Sequence, residues 1–461
     1  MSFETDCAVA ARALDTFAAR ARDRADPVIR QPVLAALAAD LGLERLIAEG
    51  GLGGEALARF LDTYLGASTR LHHPGYMAHQ VAVPEPLASI AALVDSFSNN
   101  AMAIYEMGPA AATVEKTVLD WMLGKAGWSP DSGGGVLTHG GSLANLTALA
   151  AARARAAPQA WEQGVPPGLA IIVSPGCHYS IARAAGILGL GQAAVVAAPA
   201  DGDGRLDPAG LAPLLARLRD EGRTVMAVVA NACATATGLY DPLRPIAETC
   251  RAAGLWLHVD GAHGASALVS PRLRHLLDGL ELADSLVWDA HKMLRAPTVC
   301  AAVLMRDRAS LDGAFREEAS YLFHDKDQPG FDFIHRTVEC TKAALGLKAF
   351  FALAAEGEAA MAAHIERQTD LATAAARYLR GLDGFAVAVE PQSNIVCFRV
   401  DGDDARQLEL RRALTEAGRH YVSTAEFRGR RWLRLALMNP ATGMADIQAL
   451  AADIREWIRP G

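Results

Sequence analysis

The feature that most constrains this chain lies between about residues 125 and 310, where seven short apolar runs alternate with helical patterns. The runs are Gly135–Thr138, Leu169–Val173, Ala193–Ala197, Val225–Val229, Leu255–Val259, Ser285–Trp288 and Val299–Leu304. Each is nearly continuous in apolar residues, the pattern of strands covered on both faces. Strands of that kind, interleaved with helices, build a mainly parallel, doubly wound α/β sheet. Such sheets bind ligands beyond the carboxyl ends of their strands, so polar residues at those ends are where chemistry is expected.

The rest of the chain is organised around that sheet. Residues 1–75 read as a helical segment, with Ala10, Ala13, Leu14 and Phe17 at helical spacing and Pro27 and Pro32 as punctuation. The segment is too short to bury a core alone and is expected to pack on a partner or on the main domain. Residues 76–345 form the large domain, and 346–461 a small α+β domain with strands expected at Phe385–Val389, Ile395–Phe398 and Trp432–Leu437 and a last helix near 444–458. The polar stretch 316–337 reads as a long mobile loop, with helical patterns resuming near 338. A chain of 461 residues has ample material for such an arrangement.

Charge and cysteine usage exclude several classes. The net charge is −8 and no Lys/Arg block is present, which argues against nucleic acid or an acidic membrane as partner. Acids stand early in the N-terminal segment, unlike a secretory signal, and no run is long enough to cross a bilayer. The seven cysteines are odd in number and form no CxxC pair, as expected of reduced thiols in the cytoplasm. His72, His73 and His79 cluster, but no carboxylate or cysteine shares a metal-binding spacing with them, so no metal is expected.

Four features stand at expected strand ends. Thr138-His-Gly-Gly-Ser-Leu-Ala-Asn145 precedes an alanine-rich helix, a turn that aims backbone N–H groups at an anion but has neither GxGxxG nor a P-loop lysine. An ordinary βα turn looks the same. His178 follows Leu169–Val173; it could lie over a flat ring, although a lone histidine is more often structural. Asp260 closes the run Leu255–Val259 and is followed by Gly261 and Ala262; a carboxylate there can hold a pyridine nitrogen protonated, and a helix-capping aspartate is the plainer alternative. Lys292, in Asp289-Ala-His-Lys292, ends another run; a desolvated lysine can form an imine, and a snorkelling lysine at a domain edge is the alternative. Each feature is modest alone, and their joint order is specific.

In that order the residues resemble the group II pyridoxal-phosphate (PLP)-dependent decarboxylases, which include aromatic amino-acid, glutamate, histidine and diaminobutyrate decarboxylases. The resemblance spans roughly 70–440. It rests on Gly140-Gly-Ser-Leu-Ala-Asn145, Cys177-His178, Ala234-Thr235-Ala-Thr-Gly238 with Asp241-Pro242, His258-Val-Asp260-Gly-Ala262, and Asp289-Ala-His-Lys292, with Lys292 following Asp260 by 32 residues as in the family. It implies PLP fold type I, aspartate aminotransferase-like, with a mostly parallel seven-stranded sheet, and a homodimer with sites at the interface. By matching position, Lys292 would form the Schiff base, Asp260 would pair with the pyridine nitrogen, and His178 and Ala262 would flank the ring. Gly141, Ser142 and His291 would bind phosphate, and Thr235 would lie near the cofactor and the substrate carboxyl. Asp289 stands where many members have Asn, and a carboxylate beside phosphate is repelled.

The resemblance also implies the reaction, decarboxylation of an L-amino acid to its amine. Tyr321 matches a loop tyrosine linked to protonating the α-carbon once CO2 has left. Arg434 matches an arginine that binds substrate carboxylate; its neighbours Arg430 and Arg431 make a strand-edge surface charge the alternative. His73–Val81 and Asn99–Glu106 resemble substrate-side segments, the latter nearest to glutamate decarboxylases. Ala101, Ala103 and Val81 replace bulkier or polar residues, which argues against strict glutamate specificity and leaves aspartate, diaminobutyrate or an aromatic amino acid open, with His79 as the discriminating residue. Other fold-type-I reactions (aldehyde synthase, lyase, aminotransferase) would use the same lysine and acid. A non-catalytic paralogue is disfavoured by the presence of Lys292, Asp260, His178 and Tyr321. A nucleotide-binding dehydrogenase lacks its glycine fingerprint.

Overall fold

A computed structural model describes residues 2–315 and 330–459. They divide into two compact units, Pro84–Asp370 with Val389–Asn394, and residues up to Val83 with Leu371–Ala388 and Ile395 onward. The larger unit is built on a seven-stranded sheet of β1 (Gly134–Thr138), β2 (Leu169–Val173), β3 (Val195–Ala197), β4 (Thr224–Asn231), β5 (Trp256–Asp260), β6 (Ser285–Asp289) and β7 (Ala301–Met305). Their order is β1-β7-β6-β5-β4-β2-β3. Pairings from β3 through β6 are parallel, and β7 runs antiparallel to both of its neighbours.

All seven apolar runs are therefore strands of one sheet, and β1, β2, β5, β6 and β7 are buried at every residue. Ladder bonds satisfy their backbone, and helices on the faces remove their side chains from water. The run at Ala193–Ala197 shortens because residues 192–194 form a 3-10 turn and β3 is a half-exposed edge strand with β2 as its one partner. The chain leaves β2 toward the β3 edge and leaves β4 toward β5. The carboxyl ends of β2 and β4 thus frame the point where the winding reverses, the usual ligand crevice of such sheets.

The helix Gly141–Ala156 lies across β1, β4, β5, β6 and β7. Its buried face is mostly alanine, which lets it sit close to the strands, and Asn145 and Thr147 are its buried polar residues. The helix Leu345–Glu356 begins later than the pattern near 338 suggests. Its start is set by contacts distant in sequence: the Asp95 carboxylate accepts from the Ala344 amide at 3.0 Å, and Gly346 sits so near Glu115 that a Cβ would meet the Glu115 Cα at 2.5 Å. Glu115 is fully buried, bonds the Leu137 amide of β1 at 3.0 Å, and forms an ion pair with the buried Lys342.

In the smaller unit a four-stranded antiparallel sheet runs in the order β10-β11-β9-β8, with β8 (Phe385–Val387), β9 (Ile395–Val400), β10 (Ser423–Phe427) and β11 (Arg430–Ala436). Phe398, Leu433 and Leu435 pack there with Leu410, Ile447 and Leu450 of the helices Asp404–Ala417 and Met444–Ile458. β10 is polar and half-exposed, so no apolar run marks it in the sequence. Residues 71–78 are bound into this unit through backbone: Met77 donates to Tyr421 O at 3.0 Å and accepts from the Ala436 amide at 2.8 Å. Asn439 donates to the Leu71 and His73 carbonyls. Among the described residues no helix is long and apolar enough to cross a membrane.

Removing one partner of the Glu115–Lys342 pair strands a buried charge. Lys342→Met is expected to destabilise the protein by about 3–5 kcal/mol, and Glu115→Leu/Lys342→Met by much less. Urea unfolding of the three proteins checks this; equal loss in the single and double variants would contradict it.

Candidate active site

The carboxyl ends of β1, β2, β4, β5 and β6 converge on a cavity of about 190 Å³. Its wall holds Gly141, Ser142, His178, Thr235, Asp260, Ala262, His291 and Lys292, the eight residues assigned to cofactor contact from sequence. Asn145, Cys233, His263 and Asp289 complete it. A larger cavity of about 1380 Å³ opens in the smaller unit; it contains no lysine, and its charged groups are Glu416 and several arginines and aspartates such as the pair Arg20–Asp26 at 2.7 Å.

The phosphate-type turn follows β1. Gly140 has φ 102°, open to glycine at little cost, and Thr138 Oγ1 bonds the Gly140 carbonyl at 3.2 Å. Gly141 then begins its helix with first-turn N–H groups lacking partners within the helix. A Cβ at Gly141 would stand 2.9 Å from Asp289 Oδ1, so no side chain fits there. His291, after β6, is clamped by Cys300, whose carbonyl lies 2.8 Å from its Nδ1.

Lys292 lies in the turn after β6, its Nζ 3.0 Å from Asp289 Oδ2, and the same carboxylate oxygen is 3.7 Å from His291 Nε2. Asp289 is 2% exposed, and its Oδ1 has no hydrogen-bond partner among the described residues. Asp260 ends β5 at 7% exposed; its Oδ2 accepts from Asn145 Nδ2 at 3.0 Å and its Oδ1 from the Ala262 amide at 3.2 Å. His178 is half-buried after β2, with Nδ1 2.8 Å from Ser180 Oγ. Burial lowers its pKa, with Asp260 pulling the other way. Burial, aided by Asp260, pushes the neighbouring Cys177 thiol up to about 11, which makes it a poor nucleophile at neutral pH.

These features suit PLP. An N-terminal helix turn with no room for a Cβ can receive a phosphate, a buried carboxylate can face a ring nitrogen, and a primary amine stands in the wall for an aldehyde. Asp289 is the exception, an anion near the turn balanced by Lys292.

Asp241, from the Asp241-Pro242 motif, does structural work: its two oxygens bond the Leu206 and Asn231 amides at 2.9 and 2.6 Å, tying down the end of β4. The structure places His79 and Arg434 in the smaller unit. His79 Nε2 lies 3.0 Å from Tyr421 Oη, and its pKa is lowered by burial, then by Arg434 and Arg411. Arg434 is 6% exposed on β11, between β9 and β10, and donates to the Ala78 carbonyl at 3.2 Å, so it is no surface charge. Tyr321 lies outside the described residues. Sequence reasoning gave no role to Asn145, Ser180 or His258. Strand alternation was the available signal for His258, since it puts His258 and Asp260 on one face of β5.

The pyridoxal-dependent decarboxylase conserved domain matches residues 68–401. The cysteine sulfinic acid decarboxylase of Mus musculus is 31% identical over 429 residues, covering 87% of this chain and 86% of that protein. The L-2,4-diaminobutyrate decarboxylase of Rhizobium meliloti (strain 1021) is 36% identical over 381 residues, covering 80% and 74%. The crystal structure of mouse CSAD in apo form aligns with a TM-score of 0.88 at 27% identity, over 97% of this chain and 98% of that one. The sheet is accordingly that of PLP fold type I, and the cofactor is PLP. With more than two thirds of its length matching the domain, and with relatives above 30% identity along most of their own, this chain belongs to the pyridoxal-dependent decarboxylases and is a carboxy-lyase acting on an amino acid.

Proposed function

We propose that the Lys292 cavity is the decarboxylation site and that its substrate is a short L-amino acid whose side chain ends in a charged group. The observation that carries the first part is the convergence of Lys292, Asp260, His178 and the Gly141–Ser142 turn on one cavity. The second part is supported by relatives named for cysteine sulfinate and for 2,4-diaminobutyrate, which share that shape of substrate and differ in the sign of the terminal charge.

In this reading each group has one task. The amides of Gly141 and Ser142, with His291, hold the phosphate. Lys292 Nζ is the primary amine that would hold the cofactor's aldehyde. Asp260 holds a proton at the pyridine nitrogen, its own oxygens kept in place by Asn145 and the Ala262 amide. His178 and Ala262, both in the cavity wall, would confine the ring, and Thr235 would serve the substrate carboxyl. PLP, when bound, supplies the electron sink that takes up the electron pair left as CO2 departs. Tyr321 returns a proton to the α-carbon. Arg434 binds a substrate carboxylate, and His79 reads the side chain.

The same reading makes the protein a cytoplasmic homodimer with active sites at the interface and residues 1–75 clasping the partner. Seven free thiols support a reducing compartment. Leu87, Ile90, Leu93, Val94 and Phe97, exposed along the helix Pro86–Ser98, support an apolar contact face. The domain reading 1–75, 76–345 and 346–461 belongs to this proposal.

The test is a panel assay of PLP-loaded protein, with CO2 and organic products followed by mass spectrometry. One short charged amino acid is expected to yield CO2 and its amine in equal amounts. Lys292→Ala should lose more than about a thousandfold in rate, and Tyr321→Phe should divert product toward aldehyde and ammonia. CO2 release at the wild-type rate from Lys292→Ala would remove the cavity from the mechanism. Sedimentation equilibrium should give twice the chain mass, and a monomer would sink the interface reading. Asp289→Asn removes an anion near the phosphate turn and is expected to lower the PLP dissociation constant by about tenfold; weaker binding would mean that Asp289 helps hold the cofactor.

A further inference from the structure

A continuous chain of buried polar groups runs from the middle of the sheet to two residues of the cavity, and the reaction so far uses only its Asn145–Asp260 link. Trp256 Nε1 donates to Ser285 Oγ at 2.9 Å, Ser285 Oγ lies 2.8 Å from His258 Nδ1, and His258 Nε2 lies 2.9 Å from Asn145 Oδ1. From Asn145 Nδ2 the chain forks, reaching Asp260 Oδ2 at 3.0 Å and Ser180 Oγ at 2.9 Å. The Ser180 branch ends at His178 Nδ1, 2.8 Å from the hydroxyl and 3.3 Å from the Ser180 amide. His258 and Ser285 are fully buried, and Asn145 and Ser180 are each 1% exposed, so water does not complete these bonds.

Counting donors fixes the direction of every link. The Asp260 carboxylate only accepts, so the amino side of Asn145 faces it and the amide carbonyl faces His258. A carbonyl only accepts, so His258 carries a proton on Nε2. Burial pushes the His258 pKa down to about 4, so the ring is neutral and its Nδ1 bare. Ser285 then gives its one hydroxyl proton to that nitrogen and receives the Trp256 N–H. On the other branch the second N–H of Asn145 occupies one lone pair of Ser180 Oγ, and the Ser180 amide, donating to His178 Nδ1 at 3.3 Å, marks that nitrogen as an acceptor to which the Ser180 hydroxyl proton also goes. His178 Nδ1 thus meets two donors, the Ser180 hydroxyl and the Ser180 amide, and cannot hold a proton of its own.

We propose that Asn145 and Ser180 are positioning residues that lock His178 as a neutral ring with its proton on Nε2, while the same Asn145 amide holds Asp260 in place. The inference rests on the reading of His178 and Asp260 as cofactor-contact residues. It makes His178 an N–H donor in the cavity and removes it as an imidazolium acid. Protonation at Nδ1 would set an N–H against the Ser180 amide and force the hydroxyl to turn. The charged groups acting on the ring are Asp260 and Asp289, which favour its protonation, and Lys292 and Arg183, which oppose it. The Tyr179 ring centroid stands 4.1 Å from that of His178, and the Arg183 guanidinium lies over the Tyr179 ring, 4.8 Å from its centroid.

The test is two-bond 15N–1H correlation NMR of PLP-loaded protein labelled at histidine nitrogens, with the His178 signal identified by its loss in His178→Asn. A bare Nδ1 and a protonated Nε2 are expected, unchanged from about pH 8 to pH 6.5. Ser180→Ala should raise the His178 pKa by about half a unit to one unit, the worth of one hydrogen bond to the neutral form, and Ser180→Thr, which keeps the hydroxyl, should titrate like wild type. Asn145→Leu should move both this titration and the pH dependence of the bound cofactor's absorption band, whereas Ser180→Ala should move only the first. A protonated Nδ1 in the wild type, or a His178 titration indifferent to Ser180→Ala, would overturn the assignment. The tautomer is read whether or not CO2 is released, so failure of the decarboxylation assay and failure of this assignment are separate results.

Discussion

The strands of the larger unit are buried on both faces, and every other feature of the site follows from how that burial is tolerated. A strand in such a place can carry few polar side chains along its length, because each must find a partner without water. Polar groups therefore collect at the carboxyl ends. β5 is instructive. His258 and Asp260 stand on one face, and both are satisfied by the single amide of Asn145, which reaches them from the alanine-rich helix that crosses the sheet. Without that close helix His258 Nε2 and Asp260 Oδ2 would each lose a partner in the core. The bonds that make β5 affordable in the sheet also aim its terminal carboxylate.

The charges around Lys292 pose a second constraint. A lysine at the end of a buried strand needs an anion, and Asp289, three residues before it, provides one at 3.0 Å. The same carboxylate lies against Gly141, at the turn that receives the cofactor phosphate in the reading proposed here. Stabilising the amine and accommodating a phosphate thus pull in opposite directions at Asp289. The balance is set by how far the single charge of Lys292 compensates it.

The smaller unit is assembled by different means. Its core is an antiparallel sheet with helices, and residues 71–78 join it through main-chain bonds to β11 and to Tyr421. This brings His79 and Arg434 near one another although they stand 355 positions apart in the chain. Arg434 is buried on a central strand, an expensive place for a cation. It also depresses the pKa of His79, so this corner is electropositive without requiring the histidine to be charged.

Much was legible in the sequence, and for a physical reason. Burial on both faces writes itself as uninterrupted apolar runs, so the seven strands and the last helix are visible without coordinates, and the polar residues that interrupt those runs mark the strand ends where Lys292, Asp260 and His178 stand. The edge strands were harder: β3 is short and β10 polar, because exposure relaxes the apolar requirement that makes a strand visible. The start of the helix at Leu345 depends on Asp95 and Glu115, which are distant in sequence and leave no local signal. The chain by itself determined which chemistry-bearing residues exist and at which strand ends they fall. Only the tertiary structure decided that Asn145 joins His258, Asp260 and Ser180, that Asp289 faces both Lys292 and Gly141, and that Arg434 is buried, because each of these depends on distances and donor directions between segments that sequence order does not specify.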